Sequence, residues 1–168
     1  MGLSNAELDD FARSMARAEG RDSQEVTEEN LVVSSTEAHW VQTGSPSQIG
    51  LLLRIPARAF EFFLQKIPAG EASDLHRHVH ESVHFVLHGS GRSEIGDQGG
   101  VQWNTGDFVY TPPWVWHRHY ADDGLDVEMI VIENSRLLAA LDATQRETLG
   151  NITFAQAFGS RGTRSADR

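Results

Sequence analysis

The spacing of the hydrophobic positions changes along the chain, and the first part has helical spacing. Ser4 and Glu7 have the spacing of a capping box, and Gly20 is typical of a helix end. Between them, apolar side chains recur every three to four residues, at Leu8, Phe11, Met15 and Ala18. This pattern predicts an amphipathic helix within an N-terminal helical extension over residues 1–35.

From about residue 51 onwards, the pattern is one of short apolar runs that are rich in β-branched and aromatic residues. The runs cover residues 49–55, 59–67, 83–87, 108–111, 115–120 and 127–132. Short breaks separate them, and several contain residues that turns favour, as in Gly89-Ser90-Gly91. Short strands at this spacing predict an all-β sandwich or barrel, which we place at residues 36–135.

Beyond the predicted barrel, the pattern becomes helical again. Apolar side chains recur at helical spacing within residues 136–149, at Leu137, Leu138 and Leu141. Gly150 is a suitable end for this helix, and we expect a C-terminal helical segment over residues 136–158. The polar residues 159–168 are predicted to form a disordered tail.

The composition narrows the classes of function. The chain has 168 residues, of which 39% are hydrophobic, and this is sufficient for one compact domain with its own core. Its 14 Lys and Arg residues face 24 Asp and Glu, and the net charge of −10 disfavours binding to nucleic acids and anionic membrane surfaces. The absence of cysteine excludes disulfides, thiolate metal ligands and cysteine nucleophiles. Because we find neither a membrane-spanning run nor a signal peptide, we expect a cytoplasmic protein.

Histidine is concentrated in one part of the chain, since seven of the eight histidines lie within residues 76–119. His76 and His78 are two residues apart, so both rings point to the same side of an extended strand. His117 lies in a later apolar run, and from a neighbouring strand it would bring a third imidazole to the same point. Three nitrogen donors on one side form a facial site for a transition metal.

The spacing around these histidines resembles the two sequence motifs of the cupin superfamily. Seven positions agree with those motifs, namely Gly70, His76, His78, Gly89, Gly106, Pro112 and His117. Trp114 stands where the second motif has Gly, and Ala121 stands where it has Asn. The resemblance implies a single cupin barrel, a double-stranded β-helix of jelly-roll type, to which the helical patterns add short N-terminal and C-terminal helices.

The first motif departs from the family at the position of its metal-ligating Glu. That position holds Ser82, and a serine hydroxyl is a poor metal ligand. The adjacent Glu81 has the wrong strand parity, so it would need a β-bulge to reach the metal. The sequence therefore leaves open what completes the coordination at this position.

An alternative register would use histidines that lie further along the same segment. In that register the motif residues are His78, His80, His84 and Gly91. It would put Ala72 where the leading Gly of the motif belongs. We therefore prefer the first register, in which the metal ligands are His76, His78 and His117.

A three-histidine cupin site without Glu is the pattern of gentisate 1,2-dioxygenase and its relatives. The run from Gly106 to His119 is especially similar to the second motif of that family. The resemblance implies a non-haem iron(II) centre that activates dioxygen for cleavage of a hydroxylated aromatic acid. The three-histidine donor set leaves zinc, manganese and nickel open as alternative metals. Members of that family usually carry two cupin domains, whereas this sequence contains one.

Two further pairs of residues are candidates for the same site. His84 and His119 are candidates for a base or for a hydrogen-bond partner of bound substrate, with a packed or solvent-facing position as the alternative. Trp114 and Trp116 flank His117 and are candidates for an aromatic wall against a planar substrate, with ordinary packing as the alternative.

Two other classes of function compete with an iron(II) dioxygenase that acts on a small, anionic, chelating substrate. The first is a non-enzymatic cupin, either a sensor of a small ligand or a subunit of a larger dioxygenase. The second is a hydrolase or isomerase that uses zinc or manganese. We expect a small-molecule ligand and a homodimer, with a larger cupin chain as an alternative partner.

Overall fold

Eleven antiparallel strands form the framework of residues 31–159, the part of the chain that the computed structural model describes. The strands are β1 (His39–Gln42), β2 (Gln48–Leu51), β3 (Glu61–Ile67), β4 (Leu75–His78), β5 (Ser82–His88), β6 (Ser90–Ile95), β7 (Gln98–Asn104), β8 (Phe108–Thr111), β9 (His117–Ala121), β10 (Val127–Glu133) and β11 (Arg146–Gly150). The helical elements are a 3-10 turn (Ser35–Glu37), α1 (Ser135–Ala140) and α2 (Phe154–Phe158). The predicted N-terminal helix and residues 160–168 of the predicted tail lie outside the described residues. Within residues 31–159, no helix has the length and the apolar character that a membrane crossing requires.

The strands form two sheets whose chain order confirms the predicted all-β barrel. The first sheet has the order β1-β2-β3-β10-β5-β8, and the second has the order β11-β4-β9-β6-β7. The chain leaves the first sheet after β3, returns to it as β5, β8 and β10, and passes through the second sheet in between. This alternation between two facing sheets is that of a jelly-roll double-stranded β-helix.

The interior of the barrel changes from apolar to polar along the strands. The buried hydrophobic cluster consists of Ile67, Val86, Trp103, Val109, Ala121, Val127 and Met129. Because side chains alternate along a strand, the next inward position on β5 and on β9 lies two residues away, and these positions hold His84 and His119. On β10 the inward positions run from Met129 through Val131 to Glu133. The apolar end therefore closes the barrel, and the polar end holds the candidate site.

The helix predicted over residues 136–149 is wrong in its second half. Helix α1 ends at Ala140, and residues 146–150 form strand β11, which pairs with β4. Leu137 and Leu141, which suggested a buried helical face, are exposed. The edge of β4 offers unpaired backbone groups, and pairing with them outweighs the local helical preference. The second sheet thus continues past residue 135, where the sequence placed the end of the barrel.

Candidate metal centre

Three histidine rings converge at the polar end of the barrel. His76 and His78 lie on β4, and His117 lies on β9 directly opposite His76. One ring nitrogen from each of the three lies within 4.8 Å of the other two. The Nε2 atoms of His76 and His117 are 3.0 Å apart. Strand alternation and strand pairing thus bring together the three residues that the preferred register selected.

Backbone carbonyl groups determine which ring nitrogen of each histidine faces the shared centre. Each Nδ1 lies within hydrogen-bond distance of a carbonyl oxygen: 2.9 Å for His76 to Asp74, 2.7 Å for His78 to His80 and 2.8 Å for His117 to Val115. A carbonyl oxygen only accepts hydrogen bonds, so each Nδ1 carries the proton. The Nε2 atoms therefore direct lone pairs at the centre, as metal-ligating imidazoles do.

The charge state of these rings also suits a metal. Burial lowers the pKa of His78 to about 2, with further lowering from the neighbouring His80 and His76. Burial and the neighbouring histidine rings, chiefly His76 and His78, hold the pKa of His117 well below its usual value. Nitrogen lone pairs at such short separation repel each other. A divalent cation between the rings would accept these lone pairs and so remove the repulsion. The donor set therefore fits a transition metal.

The position of the missing Glu does not contribute to this centre. Ser82 is buried, and its hydroxyl lies 3.1 Å from Nε2 of His84. Glu81 points away from the barrel interior, as its strand parity predicted, and its carboxylate accepts a hydrogen bond from the Tyr110 hydroxyl. His80, which the alternative register would use, stacks on His78 with ring centroids 3.7 Å apart.

His84 and His119 form a second pair of rings beside the centre. Their centroids are 4.5 Å apart, and both residues line the same cavity as the metal-site histidines. The Trp103 indole donates to Ser93 Oγ at 2.8 Å, and Ser93 Oγ lies 2.7 Å from His119 Nδ1. Among the described residues, His119 Nδ1 is the acceptor for the Ser93 hydroxyl proton, so His119 carries its own proton on Nε2.

Two nitrogens of this second pair have no hydrogen-bond partner within residues 31–159. They are Nδ1 of His84 and Nε2 of His119, and both are buried. Burial lowers the pKa of His84 to about 4 and holds that of His119 well below its usual value. The pair thus presents neutral, unpartnered polar groups in the cavity.

Asp74 is a buried acid that sequence reasoning missed. Its carboxylate lies 3.3 Å from His76 Nδ1, and it accepts hydrogen bonds from Arg146 and Thr148, each at 2.8 Å. Burial alone would raise the pKa of Asp74, but the interactions with His76 and Arg146 outweigh it and hold the pKa below its ordinary value. The available signal was its position two residues before His76, which places it on the same side of the segment.

Glu133 is a second buried acid that sequence reasoning did not identify. His80 Nε2 lies 3.1 Å from its carboxylate, and His80 in turn stacks on His78. Burial raises the pKa of Glu133, but the neighbouring His80 and its hydrogen bond outweigh this and lower the pKa to about 2. Glu133 therefore contacts the ring that stacks on a candidate ligand.

Trp114 and Trp116 do not line the cavity, which favours ordinary packing, the alternative to a wall for a substrate. Both rings instead contact the guanidinium of Arg77, with centroid distances of 4.3 and 4.8 Å. Arg77 lies between His76 and His78 in the strand and therefore points to the outer face. Trp114 has a φ of 57°, the left-handed conformation for which the family motif has Gly.

The cavity that contains these groups has a volume of about 180 Å³. The histidines form its polar side, and the aliphatic and aromatic side chains of Ile49, Leu51, Phe63 and Val131 contribute an apolar side. Such a mixture of apolar wall and few polar groups is typical of sites for small molecules.

Part of the barrel matches a known protein family, and part of the chain is similar to a curated protein. Residues 63–133 match the family described as Cupin domain. Over 77 residues the chain is 39% identical to Gentisate 1,2 dioxygenase 1 of Aquipseudomonas alcaligenes, covering 41% of this chain and 22% of that protein. The chain thus spans about a fifth of the length of this curated relative.

Two solved structures share the fold at low sequence identity. The polyketide cyclase RemF from Streptomyces resistomycificus is 18% identical, with a TM-score of 0.57 over 73% of this chain and 84% of that chain. Salicylate 1,2-dioxygenase from Pseudaminobacter salicylatoxidans is 14% identical, with a TM-score of 0.54 over 84% of this chain and 37% of that chain. These similarities confirm the predicted cupin barrel.

Proposed function

We propose that this protein, which has the cupin fold, is a metal-dependent oxygenase. The proposed metal is iron(II), the proposed ligands are His76, His78 and His117, and the proposed substrate is a small hydroxylated aromatic acid. The observation that carries the proposal is the convergence of three Nε2 lone pairs, each fixed by a carbonyl contact at Nδ1. The partial similarity to a gentisate dioxygenase supports the reaction class.

The charges around the cavity support an anionic substrate. Both arginines that line the cavity are paired with a carboxylate, Arg136 with Glu61 and Arg146 with Asp74, and His80 contacts the Glu133 carboxylate. The histidines of the centre are neutral where burial dominates, as at His78 and His117. A bound divalent ion would therefore add positive charge that these pairs leave uncompensated, and an anionic chelating ligand would balance it.

When bound, iron(II) supplies redox chemistry towards dioxygen and leaves about three coordination positions for ligands beyond the histidines. The chain's own groups orient the substrate and handle protons. His119 Nε2–H is positioned to donate a hydrogen bond to a substrate oxygen, and the Ser93 contact holds the ring in that orientation. His84, whose Nδ1 has no partner among residues 31–159, is our candidate to accept a proton from the substrate hydroxyl. The apolar wall excludes water from these contacts.

Metal content tests the proposal most directly. After anaerobic purification, the parent protein is expected to hold about one iron per chain, and His117→Ala is expected to hold little, because two imidazoles bind iron(II) far more weakly than three. His39→Ala is the matched control, since His39 is exposed on β1 and lies outside the cavity. Elemental analysis measures all three proteins.

Oxygen consumption then tests the reaction. The iron-loaded parent is expected to consume dioxygen with at least one acid from a panel that includes 2,5-dihydroxybenzoate and 2-hydroxybenzoate. A parent that binds no iron when iron(II) is offered would contradict the proposal. Full activity with zinc in place of iron would instead favour a hydrolase or isomerase, because zinc has no redox chemistry.

The predicted homodimer and the predicted cytoplasmic location remain predictions. Sedimentation equilibrium of the full chain measures the first, and a mass of twice 18.6 kDa is the expected result. Fractionation of the source cells measures the second.

A further inference from the structure

The sequence placed Arg146 on a predicted helix. In the structure it lies on strand β11, beside the candidate metal centre. Arg146 lies directly opposite His78 in the pairing of β11 with β4. Side chains of directly opposed residues in antiparallel strands lie on the same face of the sheet. Arg146 therefore points into the barrel beside a candidate ligand, and it lines the same cavity.

One edge of this guanidinium is anchored and the other is open, in the sense that it has no hydrogen-bond partner within residues 31–159. Nη2 donates to the Asp74 carboxylate at 2.8 Å. Nη1 is buried and has no hydrogen-bond partner within residues 31–159. Because Asp74 also lies 3.3 Å from His76 Nδ1, the anchor ties the arginine to the candidate metal centre.

The other arginine of the cavity is fully engaged. Arg136 binds both carboxylate oxygens of Glu61 through Nε and Nη2, and its Nη1 donates to the carbonyl groups of Ile55 and Ala57. Its role is therefore to hold the segment before β3 against α1. Of the two arginines that line the cavity, Arg146 is the one with an open terminal donor.

On the basis of the proposed function, we propose that Arg146 binds the carboxylate of the anionic ligand at the three-histidine centre. The open Nη1 donates a charge-assisted hydrogen bond to a carboxylate oxygen, and the Asp74 contact holds the guanidinium in place. A neutral analogue of the same shape gains neither this bond nor the attraction of opposite charges. Arg146 thereby selects hydroxylated acids over their neutral counterparts.

A comparison of two ligands and three variants tests this role. The ligands are 2-hydroxybenzoate and 2-hydroxybenzamide, which share a ring and a hydroxyl group but differ in charge. The variants are Arg146→Gln, Arg146→Lys and the control Arg77→Gln, in which an arginine on the outer face is replaced. Binding to the iron(II)-loaded proteins is measured by calorimetry without oxygen, and iron content is measured in parallel.

The parent is expected to bind the acid more tightly than the amide. In Arg146→Gln, binding of the acid is expected to weaken about tenfold or more, whereas binding of the amide changes about twofold or less. Arg146→Lys recovers part of the loss because it keeps the positive charge. Arg77→Gln binds both ligands as the parent does. If Arg146→Gln loses iron, the same comparison is made with Arg146→Lys.

Three outcomes would overturn the inference: unchanged binding of the acid in the Arg146 variants, an equal loss for acid and amide, or a parent that binds iron but not the acid. Failure of the proposed function gives a different result. A parent that binds iron and the acid through Arg146 but consumes no dioxygen refutes the oxygenase and leaves the role of Arg146 standing.

Discussion

At the scale of single residues, the hydrogen bonds behind each ring determine what the ring presents to the cavity. The carbonyl contacts at Nδ1 of the three candidate ligands leave Nε2 free for a metal, whereas the Ser93 hydroxyl at Nδ1 of His119 leaves a proton on Nε2. Chemically identical side chains therefore act as acceptors or donors according to their partners.

We predict that the Ser93 hydroxyl contributes substantially to the free energy of unfolding, because two buried side chains bond to it. Ser93→Ala would leave the Trp103 indole N–H and His119 Nδ1 without a partner in a fully buried position. We expect the free energy of unfolding to fall by about 1–3 kcal/mol, the usual cost of leaving buried polar groups unpaired.

Urea denaturation of the metal-free protein measures this change. Ser90→Ala is the matched control, because Ser90 is on the same strand and its hydroxyl bonds to Asp122 at an exposed position. The control is expected to change stability by about 0.5 kcal/mol or less. Equal effects of the two substitutions would show that the Ser93 network does not support the fold.

At the scale of elements, strand β6 packs closely against its neighbours β7 and β9, and this packing depends on a glycine. A Cβ at Gly91 would lie 2.0 Å from the Tyr120 carbonyl oxygen and 2.4 Å from the Trp103 ring. Gly91 pairs with both Trp103 on β7 and Ala121 on β9. The glycine thus allows the Trp103 ring to pack over the strand and reach Ser93.

Gly91→Ala is therefore predicted to be strongly destabilising. The new methyl group must displace backbone or the Trp103 ring, and we expect a loss of about 3 kcal/mol or more in the free energy of unfolding. Gly99→Ala on β7 is the control, because a Cβ there meets nothing within 4 Å. Thermal unfolding monitored by circular dichroism compares the two, and similar melting temperatures would contradict the prediction.

At the scale of the whole molecule, folding buries several histidines in neutral form, which makes stability depend on pH. The pKa of His84 falls to about 4 and that of His78 to about 2, because burial disfavours the charged imidazolium. Above about pH 6.5 neither state is protonated, and the full stability is present. Below that pH the unfolded chain binds protons that the native protein does not, so stability falls.

We predict that the metal-free protein loses stability steadily as the pH is lowered from about 6.5 towards 4. Each such histidine contributes about 1.4 kcal/mol per pH unit within this window. Urea unfolding at several pH values measures the slope. His84→Gln is expected to give a shallower slope, and the exposed-site control His39→Ala the parental one. A free energy of unfolding that stays constant between about pH 7 and 5 would contradict the prediction.

The parts of this protein that could be read from its sequence are those that depend on local spacing. Alternation along a strand places His76 and His78 on one face, and it also directs Glu81 outwards. The motif spacing, together with the turn glycines, indicated the barrel and brought His117 into consideration. The first of these inferences needed only the period of a strand, whereas the barrel and His117 also needed the resemblance to the cupin motifs.

Pairing between distant segments decided the remainder. The leucines of residues 136–149 indicated a helix. Instead, β11 pairs with the free edge of β4, and this pairing places Arg146 opposite His78. The same long-range pairing is what puts Arg146 and Thr148 on the Asp74 carboxylate. Register across a sheet depends on which edges are free in the folded barrel, and no local pattern in the chain contains that information.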